Sequence, residues 1–212
     1  MILAVGVGPG APEYLTQKAK QAIQSADIIL GFKPSLNTVR GFIREGTEVF
    51  ESPDHPNEEK YLKYMATKSK SKKCVVLFVG DPNFSGYEFV DKISRFDEVE
   101  IVPGISSIQV AASKARVAFE DSVFVSFHKG TIDSAKGDLL TAIKSGKNVL
   151  LLPRPFDFMP KDIAKFLLEN GISPEKEVII YEYLTLNEKM TNKRLGDIKE
   201  EFSDVCVMVI KR

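Results

Sequence analysis

The sequence predicts an α/β protein with two α/β domains and a mostly parallel sheet. Short apolar runs alternate with segments of helical periodicity along the 212 residues, and this repetition is typical of parallel sheets covered by helices on both faces. In addition, three turns rich in glycine and proline stand where a predicted strand ends and a helix begins. Turns of this kind form the floor of small-molecule sites in α/β proteins.

The first half of the chain supplies the three turns and most of the alternation. Periodicity and capping residues predict strands at 2–7, 28–30, 74–79 and 99–102, and helices at 12–26, after Asn57, around 89–96 and from Ser106 or Ser107. Pro12 near the first turn and apolar residues at helical spacing favour the 12–26 helix. The turns have the sequences GVGPG at 6–10, GDPNFSG at 80–86 and PGISS at 103–107.

The alternation pauses near residues 116–121, and we place a domain boundary there. The predicted domains are 1–115 and 116–212. In the second domain we predict strands at 122–127, 148–152, 178–184 and 205–210, helices at 133–144 and 160–170, and a short helix at 195–201. Because no long linker separates the halves, a cleft between them is the expected ligand site.

Composition limits the classes of partner. The 29 basic and 29 acidic residues balance, so no net field gathers nucleic acid and none is expected as a partner. Cys74 and Cys206 lie in apolar runs and are expected to be buried, reduced thiols. With no apolar run near the ~20 residues of a membrane span, no membrane contact and a cytoplasmic location are expected. Neither histidine has partners at metal-ligand spacing, so we expect no protein-bound metal.

The N-terminal turn also invites a dinucleotide hypothesis. The segment GVGPGA at 6–11 formally satisfies the pattern G-x-G-x-x-G/A after a strand. However, Pro9 lacks the N–H that a pyrophosphate would use, and Lys33 follows the second strand where an acidic residue would bind the ribose. Glycines that serve only a tight turn, or a turn that approaches a ligand without binding phosphate, are the alternatives.

The three turns together resemble the tetrapyrrole (corrin and porphyrin) methylase family. The resemblance rests on VGVGPGAPEYLT at 5–16, GDPNFSG at 80–86 and VPGISS at 102–107, in that order, and covers nearly the whole chain. It implies an S-adenosylmethionine-dependent enzyme with the cofactor in the cleft between two α/β domains. The segments at 102–112 and 125–130 are most similar to the members that methylate carbon 5 of a precorrin. Ala11, Asn83, Ser85 and HKG at 128–130 depart from the usual pattern.

Carried over position by position, the resemblance implies a set of site residues. The cofactor contacts would be Pro9, Gly80, Asp81, Pro82, Phe84, Ser106, Ser107, Pro153, Leu184 and Thr185. A carboxylate such as Asp81 suits the cofactor's sulfonium or ammonium group, and hydroxyls at a helix start suit its carboxylate. His128 is the candidate base for the proton that leaves the macrocycle. The carboxylates of a corrinoid substrate would meet Lys33, Arg40, Arg116, Lys129 and Arg154.

The resemblance also implies a homodimer and, as a separate protein, a decarboxylating methyltransferase partner. Two classes of alternative stay open. A methylase of this fold could act on uroporphyrinogen, another precorrin carbon, ribosomal RNA or the modified protein histidine diphthamide. The chain could instead be a non-catalytic module that binds a metabolite.

Overall fold

The first compact unit comprises Met1–Ser106 and is built on a parallel five-stranded sheet. The computed structural model describes residues 1–52, 55–84 and 86–212. The strands are β1 (Ile2–Gly6), β2 (Ile28–Gly31), β3 (Glu48–Glu51), β4 (Cys74–Phe78) and β5 (Val99–Val102), in the spatial order β3-β2-β4-β1-β5. The helices are α1 (Gln17–Gln24), α2 (Lys33–Val39), α3 (His55–Lys68) and α4 (Tyr87–Ser94). Ser85, in the second turn, lies outside the described residues.

Both faces of this sheet are covered by helices. One face carries Val5 and Leu77 and packs against α1 and α2, whereas the other carries Ala4 and Val76 and packs against α3 and α4. Every residue of β4 is buried, which explains why that strand has a continuous apolar sequence rather than an alternating one. The α/β prediction for this half is confirmed.

The second compact unit comprises Ser107–Arg212 and contains a mixed sheet. Its helices are α5 (Ser107–Ala115), α6 (Ile132–Lys144) and α7 (Pro160–Glu169). Its strands are β6 (Ser122–Ser126), β7 (Asn148–Leu152), β8 (Glu177–Glu182), β9 (Lys189–Arg194) and β10 (Cys206–Ile210), in the spatial order β6-β7-β10-β8-β9. β6 and β7 run parallel, whereas the other three pairs are antiparallel. The prediction of a mostly parallel sheet is therefore wrong for this unit.

The two units divide between Ser106 and Ser107, nine residues before the boundary that the sequence suggests. The difference is helix α5, which packs on β7 and β10 of the second sheet. The sequence groups α5 with the turn that precedes it, but the helix, in which Ile108 and Ala111 are buried, packs on strands of the second unit.

Several elements differ locally from the sequence prediction. The 12–26 helix is a short 3-10 turn at Pro12–Tyr14 followed by α1, because the Thr16 side chain accepts a hydrogen bond from the Ala19 N–H and begins a new helix. α3 begins at His55, before Asn57. A 3-10 turn, Leu195–Asp197, replaces the short helix at 195–201. Within the described ranges, no helix combines the length and the apolar character needed to cross a membrane.

Candidate active site

Three glycines form a backbone junction at the carboxyl ends of β1, β4 and β5, which are neighbours in the first sheet. We call Gly6, Gly80 and Gly104 the glycine junction. A methyl group added at Gly104 would lie 2.2 Å from the Gly80 carbonyl oxygen and 2.7 Å from the Gly6 carbonyl carbon. Because real Cβ atoms do not approach backbone so closely, glycine is required at positions 6 and 104 for these three segments to meet.

The first and second turns are also hydrogen-bonded to each other. The Gly80 N–H donates to the Gly8 carbonyl oxygen at 2.7 Å, and the Gly8 N–H donates to the Gly80 carbonyl oxygen at 3.3 Å. Both residues have a positive φ, 81° for Gly8 and 72° for Gly80, a conformation that glycine adopts without strain. The Gly8 N–H is therefore directed at Gly80, and α1 begins only at Gln17, so the turn lacks the helix start that a dinucleotide pyrophosphate needs.

Asp81 connects the second turn to the third. One carboxylate oxygen, Oδ1, accepts the Asn83 N–H at 2.7 Å, and the other, Oδ2, accepts the Gly104 N–H at 2.8 Å. An ionised carboxylate has about four acceptor positions, so this half-buried group retains capacity for a cation. The sequence interpretation assigns Asp81 to the cofactor, and the structure shows that it also fixes the turns.

Six of the predicted cofactor residues lie on these turns. Pro82 and Ser106 are buried, and Pro9, Asp81 and Phe84 are half-buried. With Gly80, all belong to the first unit and follow β1, β4 or β5. We call the turns at 6–10, 79–84 and 103–106 the first carboxyl edge. Ser107 is the first residue of α5 and belongs to the second unit.

A second edge gathers the remaining predicted residues. β6, β7 and β8 point in the same direction, so their carboxyl ends lie at one edge of the second sheet. We call the loops at 127–131, 153–158 and 183–188 the second carboxyl edge. Pro153 and Leu184 are buried there, and the Thr185 N–H donates to Glu188 Oε2 at 3.2 Å. His128 and Lys129 are exposed.

Arg154 links two loops of the second carboxyl edge. Its guanidinium donates to the Gly130 carbonyl oxygen at 3.2 Å and lies 3.3 Å from the Asp157 carboxylate. Its backbone pairs with Phe158 through hydrogen bonds of 3.1 and 3.0 Å, which closes a tight turn. Arg154 is thus a structural residue of this edge whose charge is shared with Asp157.

The surroundings of His128 favour the neutral form of its ring more strongly than water does. Partial loss of solvation lowers the pKa of His128 below its ordinary value, the backbone carbonyl of Pro153 acts in the opposite direction, and the Arg154 guanidinium lowers the pKa further. A neutral imidazole near pH 7 can accept a proton. The geometry is therefore compatible with the base that the sequence suggests.

The other predicted basic anchors are dispersed. Lys33 is exposed at the start of α2, beyond the carboxyl end of β2, and Arg40 donates to the Asn37 side chain at 3.3 Å. Arg116 follows α5 and precedes the 3-10 turn that leads into β6. It therefore lies near the amino end of β6, opposite Lys129, and the structure does not bring these two residues together.

The backbone strain at the second carboxyl edge was not predicted from the sequence. Phe156, Tyr183 and Thr185 have positive φ values of 65°, 50° and 72°. The prolines on either side of Arg154 mark a turn, but no local signal predicts a left-handed phenylalanine. Within the described residues, no three His, Cys, Asp or Glu side chains are placed to hold a metal ion.

Comparison with known proteins decides the family. Residues 1–199 match the profile of the family described as Tetrapyrrole (Corrin/Porphyrin) Methylases. The chain belongs to this family. The resemblance carried by the three turns, and the two-domain α/β fold class, are thereby confirmed.

The chain is also similar in sequence to an individual relative and similar in fold to solved structures. The chain is 37% identical over 213 residues to a protein of Methanocaldococcus jannaschii named probable cobalt-precorrin-7 C(5)-methyltransferase, covering 99% of this chain and 97% of the relative. Among solved structures, the methyltransferase CobJ superposes with a TM-score of 0.82 at 19% identity, covering 100% and 93% of the two chains. Uroporphyrin-III C-methyl transferase from Thermus thermophilus, complexed with S-adenosylhomocysteine, gives a TM-score of 0.76 at 22% identity and coverage of 100% and 97%.

Proposed function

We propose that this tetrapyrrole methylase is an S-adenosylmethionine-dependent C-methyltransferase of cobalamin biosynthesis that methylates carbon 5 of cobalt-precorrin-7. The observation that carries the proposal is the identity of 37% to the Methanocaldococcus jannaschii protein of that name, which extends over 99% of this chain and 97% of the relative. A likeness that spans both chains end to end includes both sheets and all the loops that could hold cofactor and substrate.

The first carboxyl edge has the chemistry that this cofactor needs. S-adenosylmethionine carries a cationic sulfonium and ammonium group, and the Asp81 carboxylate keeps acceptor positions beyond its two backbone hydrogen bonds. The glycine junction lets the backbones of the three turns meet, which brings their polar groups to one edge of the sheet. We propose that the cofactor is bound by Pro9, Gly80, Asp81, Pro82, Phe84, Ser106, Ser107, Pro153, Leu184 and Thr185.

The protein's main contribution to the reaction is positioning. The cofactor supplies an electrophilic methyl group on a good leaving group, so no nucleophilic side chain is required. Correct orientation of two reactants is worth effective molarities of ~10⁵ to 10⁸ M. We assign His128 as the base that accepts the proton lost from the macrocycle, and Lys33, Lys129 and Arg154 as contacts for substrate carboxylates. We leave out Arg116, which lies at the other end of β6.

The first experiment is a calorimetric titration of the purified protein with S-adenosylhomocysteine, with NAD as the control ligand. We expect one equivalent of S-adenosylhomocysteine to bind and NAD to give no heat. A mass-gain assay with S-adenosylmethionine and cobalt-precorrin-7 should then show the addition of one methyl group, and NMR of a ¹³C-methyl product should place it on carbon 5. Binding of NAD alone would overturn the proposal.

The same assays separate the alternatives. Methylation of uroporphyrinogen, another precorrin carbon, ribosomal RNA or a protein histidine would assign a different substrate within the fold. Binding of S-adenosylhomocysteine without transfer to any of these acceptors would favour a metabolite-binding module. The homodimer, the separate decarboxylating partner and the cytoplasmic location stay predictions, and sedimentation velocity tests the first of them.

A further inference from the structure

Phe156 is the most exposed large apolar side chain among the described residues. Its side chain is 86% exposed, and its φ of 65° lies in the left-handed region. A bulky residue there is strained, and such strain persists only where the surrounding structure imposes it. A glycine at this position would remove both the strain and the exposed ring.

The surrounding structure imposes this conformation on Phe156. Arg154 and Phe158 are paired through two backbone hydrogen bonds on either side of it, and the Asp157 N–H donates to the Arg154 carbonyl oxygen at 3.2 Å. Phe158 anchors the turn in the core, where its ring lies 4.9 Å from that of Phe127. The turn therefore fixes the backbone of Phe156 and leaves its ring exposed to solvent.

The charges near this ring indicate what it could bind. Lys129, on the adjacent loop, is exposed and has no carboxylate within ion-pair distance among the described residues. Arg154 bridges that loop to the turn. An exposed aromatic ring on one loop and an exposed cation on the loop that Arg154 links to it suit a ligand that combines a conjugated ring with carboxylates.

A protein partner fits this surface less well. Pro155 is half-buried and Asp157 is exposed, so the chain neighbours of Phe156 do not extend its ring into an apolar patch. Stable protein interfaces bury about 800 Å² on each partner. A single ring is enough to contact one face of a macrocycle.

We propose that Phe156 is a substrate-contacting residue on which the conjugated corrin ring stacks, while Lys129 meets one of its carboxylates. This inference rests on the proposed function, because it takes the substrate to be a carboxylated corrinoid. It assigns the strained turn a role in binding the substrate, separate from binding of the cofactor.

The first test compares Phe156→Gly and Phe156→Leu with wild type. Relief of strain should raise the melting temperature of Phe156→Gly by about 2–4 °C. Loss of the ring should raise KM for cobalt-precorrin-7 about tenfold in both variants, with kcat and the affinity for S-adenosylhomocysteine unchanged. Phe119→Leu, which changes another exposed aromatic of the second unit, is the matched control and should leave KM unchanged.

The second test uses the absence of tryptophan from the chain. Phe156→Trp and Phe119→Trp each introduce a single tryptophan, which can be excited selectively over the tyrosines, and the probe is cobyrinic acid, a stable corrin with free carboxylates. Stacking should quench the fluorescence of Phe156→Trp almost completely and that of Phe119→Trp only in part.

The outcomes distinguish the two proposals. If the wild type methylates cobalt-precorrin-7 but Phe156→Gly keeps its KM, the stacking role is overturned and the proposed function stands. If the wild type methylates no precorrin, the proposed function fails. In that case equal quenching of the two tryptophan variants by cobyrinic acid would overturn the stacking role as well, whereas selective quenching at 156 would support it.

Discussion

At the scale of single residues, the glycine junction is defined by backbone contacts. Gly6, Gly80 and Gly104 are far apart in the sequence, yet their backbones meet so closely that a methyl group added at Gly6 or Gly104 would overlap backbone atoms. The Asp81 carboxylate then fixes the Gly104 N–H. Steric exclusion and one charged hydrogen-bond acceptor together hold the turns in place.

We predict that Gly104→Ala destabilises the protein by about 1–3 kcal/mol or more, because the added methyl group meets backbone that cannot rotate away. Gly137→Ala is the matched control. Gly137 lies within α6 with nothing within 4 Å of an added methyl group, so alanine should stabilise the helix by about 0.5–1 kcal/mol. Urea unfolding of both variants measures the difference, and an unchanged midpoint for Gly104→Ala would contradict the close contact.

His128 gives a pH dependence with a defined sign. Its pKa is lowered in the folded protein, so between that pKa and the ordinary value of about 6.5 the unfolded chain binds more protons. The contribution of His128 to the free energy of unfolding should therefore be largest above pH ~6.5. It should fall as the pH drops from there to the pKa of the folded state, and change no further below that pKa.

The measurement is an NMR titration of the two histidines, with His128→Gln to assign the signals. His128→Gln should also unfold at a midpoint that depends less on pH across the same window. If His128 is the base, His128→Ala should lower turnover more than affinity for S-adenosylhomocysteine. A His128 pKa above the ordinary value, or equal loss of turnover and affinity, would remove the basis for this role.

At the scale of elements, strands with an apolar run were predictable, and the two edge strands without one, β3 and β9, were not. The prediction of a strand at 148–152 matches β7, because a fully buried strand has a distinct apolar run. β9 has the sequence KMTNKR and is mostly exposed, so it has no apolar signature. β3, an edge strand of the first sheet, alternates half-buried and exposed residues. Lysines on an edge strand such as β9 also oppose unwanted pairing with other chains.

Strand direction and helix starts were the other errors. β10 is buried throughout, and its apolar run is the same whether the strand lies parallel or antiparallel to its neighbours. Leu15 is buried beside α1 without belonging to it, so periodicity alone extended the helix across the Thr16 cap. Both errors depend on tertiary neighbours that a local pattern does not contain.

The positions of the turns at the candidate site could be predicted from the sequence, but the hydrogen bonds between them could not. Glycine, proline and serine after apolar runs located the first carboxyl edge. The bonds of Asp81, however, depend on β1 lying between β4 and β5, a neighbourhood set by long-range pairing. The same reason explains why Arg116 was grouped with Lys129 although they lie at opposite ends of β6.

At the scale of the whole molecule, the two units share the site residues but differ in sheet type. The first has the parallel sheet and most of the predicted cofactor contacts, and the second has the mixed sheet with the candidate base and the exposed Phe156. We therefore expect substitutions at the first carboxyl edge to act mainly on cofactor affinity, and those of Lys129 and Phe156 to act mainly on the corrinoid.

Each unit also contains one cysteine, and this arrangement gives a natural pair of chemical reporters. Cys74 in β4 and Cys206 in β10 are 1% and 7% exposed, and burial raises the pKa of their thiols to about 11 and about 12. We expect neither thiol to react with iodoacetamide at pH 8 in the folded protein, since the thiolate is the reactive form. In urea, peptide mapping of the label would time the opening of each unit separately, with no engineered probe. Rapid labelling of either thiol without urea would show that its unit opens under native conditions.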